Sequence, residues 1–328
     1  MNVLITGGAG YIGSHIVKEL ERGNKVIVLD NLSKGHKSSI SKYAKFVKGD
    51  LSDKKLISNT IKKNKIDAVI HLAASSLVGE SVQNPEKYFQ NNVVNGLNLL
   101  SAMRKNGVKF LVFSSSAAVY GAPKKVPIGE DDPAYPTNAY GLTKIMFEQI
   151  LEWYDNAYGM KFISLRYFNA AGADPSGNIG EDHKPETHLI PIVLQVAQGK
   201  RENVEVFGTD YNTKDGTCIR DYIHVTDLAK AHVLALKALS KGKASRIYNL
   251  GNGVGYSVKE VIEIAKQVTN KEIKTINVKR RAGDPPVLVA SSEKIIKELG
   301  WKPKFGDLKT IIKTAWLWHS RHIKGFKE

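Results

Sequence analysis

One cysteine, Cys218, stands among 328 residues, so no internal disulfide can form and a reducing, cytoplasmic setting fits. Long apolar runs are missing too. Stretches such as KVIVL and KFLVFSSS fall far short of the roughly 20 residues that a spanning helix needs, so no membrane is expected as a partner. The chain opens MNVLITGG with no basic segment ahead of an apolar one, and no secretory signal is expected. Acidic residues are scarce beside basic ones, 32 against 48, for a formal charge of +16. Such a field concentrates anions. The lysines are scattered and form no block interleaved with aromatics, so nucleic acid is not expected. A small phosphorylated ligand, or simply a lysine-rich solvated surface, accounts for the charge.

What is present is alternation. The β-branched runs NVLITG, KVIVLD, AKFVKGD, DAVIHLA, KFLVFSS and KFISLRYF are separated in several places by helical patterns, including Tyr11 to Arg22 and Glu86 to Lys105. Runs with few polar interruptions suit strands covered on both faces. The pattern therefore predicts an α/β fold with a doubly wound parallel sheet of Rossmann type. After about Phe168 the loops lengthen. Residues 1–169 are read as a dinucleotide-binding domain and 170–328 as a smaller α/β substrate-binding domain, with some segments returning to the first sheet. Ser257 and Glu260 form a capping-box signature before VIEIAKQV.

LITGGAGYIGSH carries Gly7, Gly10 and Gly13 between a strand and a helix. Glycines there let the backbone turn tightly and approach a pyrophosphate, whose charge the helix N-terminus stabilises. Asp30 ends the next strand, where a carboxylate holds the adenosine ribose hydroxyls and repels a 2′-phosphate. NAD rather than NADP is the expected cofactor, although Lys34 and Lys37 follow in the loop. Tyr11 and Ile12 in the glycine turn, and Asn31 beside Asp30, are expected to line it. Asp50, followed by Leu51, either reaches the adenine amine or caps its own loop.

In NAYGLTKIMFEQ, Tyr140 and Lys144 lie one helical turn apart on one face. A free phenol, with a pKa of about 10, is a poor base at neutral pH. A cation about 4 Å away favours the phenolate by roughly 4 kcal/mol at an effective dielectric of about 20, before desolvation opposes it. The pair is thus a candidate base poised near neutrality. VFSSSAAVYG sets Ser114, Ser115 and Ser116 at the end of a strand, where open α/β sheets bind ligands.

Taken in order, GGAGYIGSH, VLDNLSKGH, LVGESVQNP, FSSSAAVYG, NAYGLTK, RYFNAAGA, DGTCIRDYIHVTDLA and RRAGDP resemble the extended short-chain dehydrogenase/reductase family, and within it the UDP-hexose 4-epimerases. The resemblance runs over essentially the whole chain. It implies that Tyr140 takes the sugar 4-hydroxyl proton while hydride passes from C4 to NAD, and that the 4-keto sugar turns over and is reduced on its other face. Ser116 would bond the same oxygen and Lys144 the nicotinamide ribose. Asn92 and Tyr167 would lie near the cofactor, with Ser114 at the strand end. Arg220 and Arg281 would grip the UDP pyrophosphate, Asp284 the uridine ribose, and Asn169, His188, Leu189 and Leu288 the sugar side. A homodimer built on Glu86–Lys105 and Pro136–Tyr158 is also implied.

Three positions depart from the common pattern of that family. Ser76 replaces a lysine toward the NAD pyrophosphate, His188 replaces an asparagine, and Leu288 stands where some members carry a pocket-closing tyrosine. The last substitution leaves room for a 2-acetamido group, so UDP-N-acetylhexosamines are expected as additional substrates. Rival chemistries fare worse. A 4,6-dehydratase carries an Asp-Glu pair where Ala117 and Ala118 stand, and a UDP-glucuronate decarboxylase a glutamate at Ala118. A non-catalytic NAD sensor would not need Tyr140 and Lys144. His183, Glu186 and His188 offer metal-ligand types, but Pro185 breaks any helix that would align them, so no metal is expected. Cys218 reads as buried filler.

Overall fold

The computed structural model describes residues 1–281 and 284–327. The six β-branched runs become β1 (Asn2–Thr6), β2 (Lys25–Asp30), β3 (Lys45–Lys48), β4 (Ala68–His71), β5 (Phe110–Ser114) and β6 (Lys161–Tyr167). Later strands are β7 (Asn169–Ala171), β8 (Val204–Phe207), β9 (Ile219–His224), β10 (Arg246–Leu250), β11 (Gly255–Ser257), β12 (Thr275–Val278) and β13 (Val287–Leu288). The first six and β10 pair in parallel as one seven-stranded sheet, ordered β10-β6-β5-β4-β1-β2-β3. Strand order reverses between β1 and β4, which opens a crevice beyond their carboxyl ends.

Helices α1 (Tyr11–Leu20), α2 (Lys54–Asn64), α3 (Val78–Gln83), α4 (Pro85–Tyr88), α5 (Asn95–Lys105) and α6 (Ala139–Tyr158) belong to the first half. The second half adds α7 (Leu189–Ala197), α8 (Val225–Ser240), α9 (Val258–Thr269), α10 (Glu293–Leu299) and α11 (Leu308–Arg321). Side chains alternate across each strand, so β1 sends Val3 and Ile5 to one face and Leu4 to the other. Val3 and Ile5 pack with Val17, Leu228, Leu236, Tyr248 and Trp301. Leu4 packs with Ile57, Leu99, Phe147 and Phe162. Burying one such side chain fully is worth about 1.5–3 kcal/mol. Residues from the second half thus help to build the first core, through α8 against α1 and β10 against β6.

The rest of the second half packs around a mixed sheet ordered β11-β9-β13, with β7 also paired to β9, and a separate β8-β12 pair. Its core joins α7, α9 and α11 through residues such as Val193, Val261 and Ile311. Ser257 and Glu260 make the expected capping box at α9.

The expected single helix over Glu86–Lys105 is interrupted. Between α4 and α5, Phe89–Val94 widens into a π-helical turn. Such a turn re-aims side chains within a helix. Here buried Asn92 donates to the Ser75 carbonyl (2.9 Å) and to the Thr143 hydroxyl (3.0 Å), and accepts from the Ser75 N–H (2.8 Å). Periodicity alone does not show an inserted residue of this kind.

Candidate active site

A cleft of about 1780 Å³ runs along the carboxyl end of the parallel sheet and into the second half. The glycine turn forms one wall. Gly7 has φ +76°, and a Cβ there would lie 2.7 Å from the Ala73 nitrogen. A Cβ on Gly13 would lie 2.2 Å from the Gly7 carbonyl oxygen. These contacts explain two of the three glycines by strain and crowding, while Gly10 faces the cleft. Asp30 is buried at the end of β2 and accepts from the N–H groups of Ala9 (3.0 Å) and Leu32 (2.8 Å). Burial raises its pKa against those bonds. Asp50 caps its own loop, accepting from the Ser52 N–H (2.8 Å), and also takes the Asn31 amide (2.6 Å). The bonds from Ser52 and Asn31 outweigh desolvation and hold its pKa low. A backbone cradle that side chains would fill, closed by a buried carboxylate, fits a dinucleotide without a 2′-phosphate.

Helix α6 starts under the cleft, with Asn138 capping it by accepting from the Gly141 N–H (2.9 Å). Tyr140 and Lys144 both face inward and are 8% and 3% exposed. The Lys144 ammonium donates to the Ser114 carbonyl (2.7 Å) and sits 5.7 Å from the Tyr140 ring centre. The expected depression of the phenol pKa is corrected here. Burial raises the pKa of Tyr140, with the Ser116 hydrogen bond opposing, because desolvation acts fully on a phenol enclosed at this depth. Burial also lowers Lys144 to about 7, with Glu148 opposing. Ser116 caps a short 3-10 turn by accepting from the Ala118 N–H (3.1 Å).

Sequence reasoning missed what stands behind Ser114. The ring of His232 is fully buried, and burial lowers its pKa to about 4. Its Nδ1 lies 2.9 Å from the Leu228 carbonyl, which only accepts, so Nδ1 carries the proton. Nε2 must then accept from the Ser114 hydroxyl at 2.8 Å. Within LAKAHVLAL the histidine reads as one polar residue on an apolar helix, and no sequence signal links it to β5.

Gly7, Gly10, Tyr11, Ile12, Gly13, Asp30, Asn31, Asp50, Leu51, Ser116, Tyr140, Lys144, Tyr167, Asn169, His188, Leu189, Arg220, Arg281, Asp284 and Leu288 all line the cleft, as does Ser76. Asn92 and Ser114 do not. Their side chains hold the Ser75 loop and His232 instead. On the second-half wall, Arg220 is paired with Asp284. The Arg281 guanidinium lies 3.8 Å from the Phe207 ring centre. Asn169 donates to the Asp221 carbonyl (2.9 Å). Leu288 packs beside Ala117, Tyr120 and Phe168. Cys218 is buried, its thiol 3.7 Å from Asp284, and desolvation raises its pKa, so no activation is evident.

Pro185 does not keep the histidine and glutamate ligands of this segment apart. The loop after β7 doubles back, and Glu181, His183, Glu186 and His188 bring one ligand atom each to within 4.8 Å of one another. A helix is not needed to align them, and Glu181 escaped notice because it lies outside the His-x-x-Glu-x-His spacing.

Comparison with known proteins agrees with this geometry. The sequence pattern of the NAD dependent epimerase/dehydratase family matches residues 3–251. A UDP-glucose 4-epimerase of Halalkalibacterium halodurans is 55% identical over 327 residues, covering 99% of this chain and 98% of its own. A crystal structure of a UDP-glucose 4-epimerase superposes with a TM-score of 0.98 at 52% identity, covering 100% of both chains. The Bifidobacterium longum UDP-glucose 4-epimerase in complex with NAD+ and UDP gives 0.93 at 40%, over 99% of this chain and 100% of its own. The UDP-Glc/GlcNAc 4-epimerase of Campylobacter jejuni gives 0.85 at 44%, over 98% and 99%.

Proposed function

This chain belongs to the NAD dependent epimerase/dehydratase family, and on that premise we propose that Tyr140, Lys144 and Ser116 carry its chemistry. The activity is NAD-dependent interconversion of UDP-glucose and UDP-galactose, that of a UDP-glucose 4-epimerase, an isomerase of galactose metabolism. The observation that carries the residue assignment is the burial of Tyr140 and Lys144 on one face of α6, beside Ser116 and opposite the glycine turn.

Bound NAD supplies a reversible hydride acceptor for C4 of the sugar. The protein's part is proton transfer and grip. Tyr140 takes the 4-hydroxyl proton and later returns it, with Ser116 holding the same oxygen. Because burial keeps the phenol protonated in the free chain, positive charge must arrive before it works as a base. Lys144 is already in place and would hold the nicotinamide ribose, so the added charge would come from the oxidised cofactor. Gly7, Gly10, Tyr11, Ile12, Gly13, Asp30, Asn31, Asp50, Leu51 and Tyr167 line the cofactor half. Arg220 and Arg281 hold the UDP pyrophosphate with guanidinium geometry suited to phosphate. Asp284 takes the uridine ribose, which requires Arg220 to exchange a carboxylate for phosphate. Asn169, His188, Leu189 and Leu288 surround the sugar.

Room beside Leu288 supports acceptance of UDP-GlcNAc as well, and a relative of similar fold is a UDP-Glc/GlcNAc epimerase. Purified protein without added NAD, given UDP-galactose or UDP-GlcNAc and resolved by chromatography, should convert both to fixed product ratios with no net NADH. Turnover of UDP-galactose alone would sink the wider specificity. No turnover of either, even with NAD supplied, would sink the site assignment. A homodimer is supported by apolar side chains left exposed on α6, namely Leu142, Trp153 and Tyr158, and by Val94 in the turn before α5. Sedimentation should give twice the chain mass, and a monomer would refute it. Among the described residues no helix is long and apolar enough to cross a membrane.

A further inference from the structure

We propose that Glu181, His183, Glu186 and His188 form a closed site for a zinc-class divalent cation on the cleft wall. Each of the four residues brings one ligand atom to within 4.8 Å of the others. His188 Nδ1 lies 2.9 Å from a Glu181 oxygen and 2.9 Å from a Glu186 oxygen. His183 Nδ1 lies 3.1 Å from Glu181 and 3.9 Å from Glu186. Zinc bonds to nitrogen and oxygen of about 2.0–2.2 Å imply edges of about 3.3–3.6 Å in a tetrahedron. The four His–Glu separations straddle that range, and a bound ion would draw the wider pairs, which lie within 4.8 Å, inward.

Glu186 accepts from the backbone N–H groups of Thr187 (2.8 Å) and His188 (2.9 Å), whereas the contacts between the imidazoles and the carboxylates are crowded. Both imidazoles turn Nδ1 toward the same Glu181 oxygen, and His188 Nδ1 is equidistant from two carboxylates. A single N–H points well at only one acceptor. Glu181 and Glu186 are 3% and 7% exposed, and among the described residues no lysine or arginine side chain pairs with either. Two buried carboxylates facing each other call for a cation between them. Two imidazoles with two carboxylates suit zinc, whereas calcium and magnesium select oxygen ligands.

The frame is built to hold the ligands. Trp318 Nε1 donates to the Glu181 carbonyl (3.1 Å), Gly180 packs on the Trp318 ring, and Tyr11 meets His183 edge-on with ring centres 6.3 Å apart. Four protein ligands leave no open position, so the ion is structural and takes no part in the chemistry at C4. Coordination through Nδ1 leaves Nε2–H of His188 as a fixed donor. The ion would therefore set the tautomer of a substrate-side residue and cross-link the loop ahead of α7 to itself.

The test uses the full-length, NAD-bound protein, stripped of metal by dialysis against a chelator. Calorimetric titration with zinc chloride should show one saturable site per chain. Cobalt(II) in place of zinc should give the intense visible absorption of a tetrahedral ion. His183→Ala should weaken zinc binding by more than about 100-fold, beyond the loss typical of outer-sphere changes. Equal melting of both proteins in chelator would show that the variant is folded; if it is not, stoichiometry and the cobalt spectrum of the wild type decide. Absence of saturable uptake, unchanged affinity in the folded variant, or a pale octahedral cobalt spectrum would each overturn the site. None of these readouts depends on Tyr140 or on turnover.

Discussion

Tyr140→Phe should lower epimerisation of UDP-galactose by about 10²–10⁴-fold, the range for loss of a positioned acid–base group, while NAD stays bound. Phenylalanine keeps the ring that α6 buries and removes only the hydroxyl. Nothing in the cofactor half changes, since the glycine turn, Asp30 and Asp50 lie on other elements. The same hydroxyl must act twice in each cycle, so its loss affects both directions alike and leaves the equilibrium ratio untouched. Chromatographic assay of the variant, with absorbance of released dinucleotide as the check on cofactor, measures both quantities. A variant with undiminished turnover would move the base elsewhere, and one that lost its NAD would make Tyr140 a binding residue.

Stability should collapse on mild acidification. His15, His71, His224 and His232 are buried, and burial lowers their pKa values to about 4, 3, 3 and 4. An unfolded histidine titrates near about 6.5. A group whose folded pKa is depressed stabilises the fold above its unfolded pKa and loses that contribution as pH falls toward the folded value. The loss is about 1.4 kcal/mol per pH unit for each ring, or about 2 kcal/mol each at pH 5. Asp221 works the other way. Burial raises it to about 6, so its neutral form favours the fold below that pH, offsetting about 1.4 kcal/mol at pH 5. The four histidines dominate these shifts, so stability falls on balance, by an amount that matters against a domain's whole stability of about 5–15 kcal/mol. Urea unfolding at pH 7.5 and pH 5 should therefore show a large drop in midpoint. Equal midpoints would mean that these rings are protonated in the folded chain.

The parts legible in the sequence are those whose chemistry is local. A glycine triplet between strand and helix, a carboxylate at the next strand end, and a tyrosine and lysine one turn apart each declare a geometry within a few residues. Six parallel strands were visible for the same reason, since runs covered on both faces lose their polar interruptions. The residues that line the cleft from the second half were reached through likeness to a family, because nothing near Arg220 or Asp284 states that they meet across a separation of 64 positions.

Only the tertiary structure decided the rest, and in each case through burial or long-range pairing. Enclosure in α6 raised Tyr140, where the sequence argument weighed the lysine and undervalued desolvation. The π-helical turn spent Asn92 on Ser75 and Thr143 rather than on the cleft. β5 and α8 came together to seat Ser114 against His232, residues 118 positions apart. The loop after β7 gathered two carboxylates and two imidazoles, of which Glu181 lay outside the sequence pattern. Sequence by itself determined the fold class, the glycine turn and the tyrosine–lysine pair on one helix face, because periodicity and i to i+4 spacing are properties of the chain alone. Protonation states and the second wall of the cleft depend on what is packed against each group, and that is a property of the folded chain.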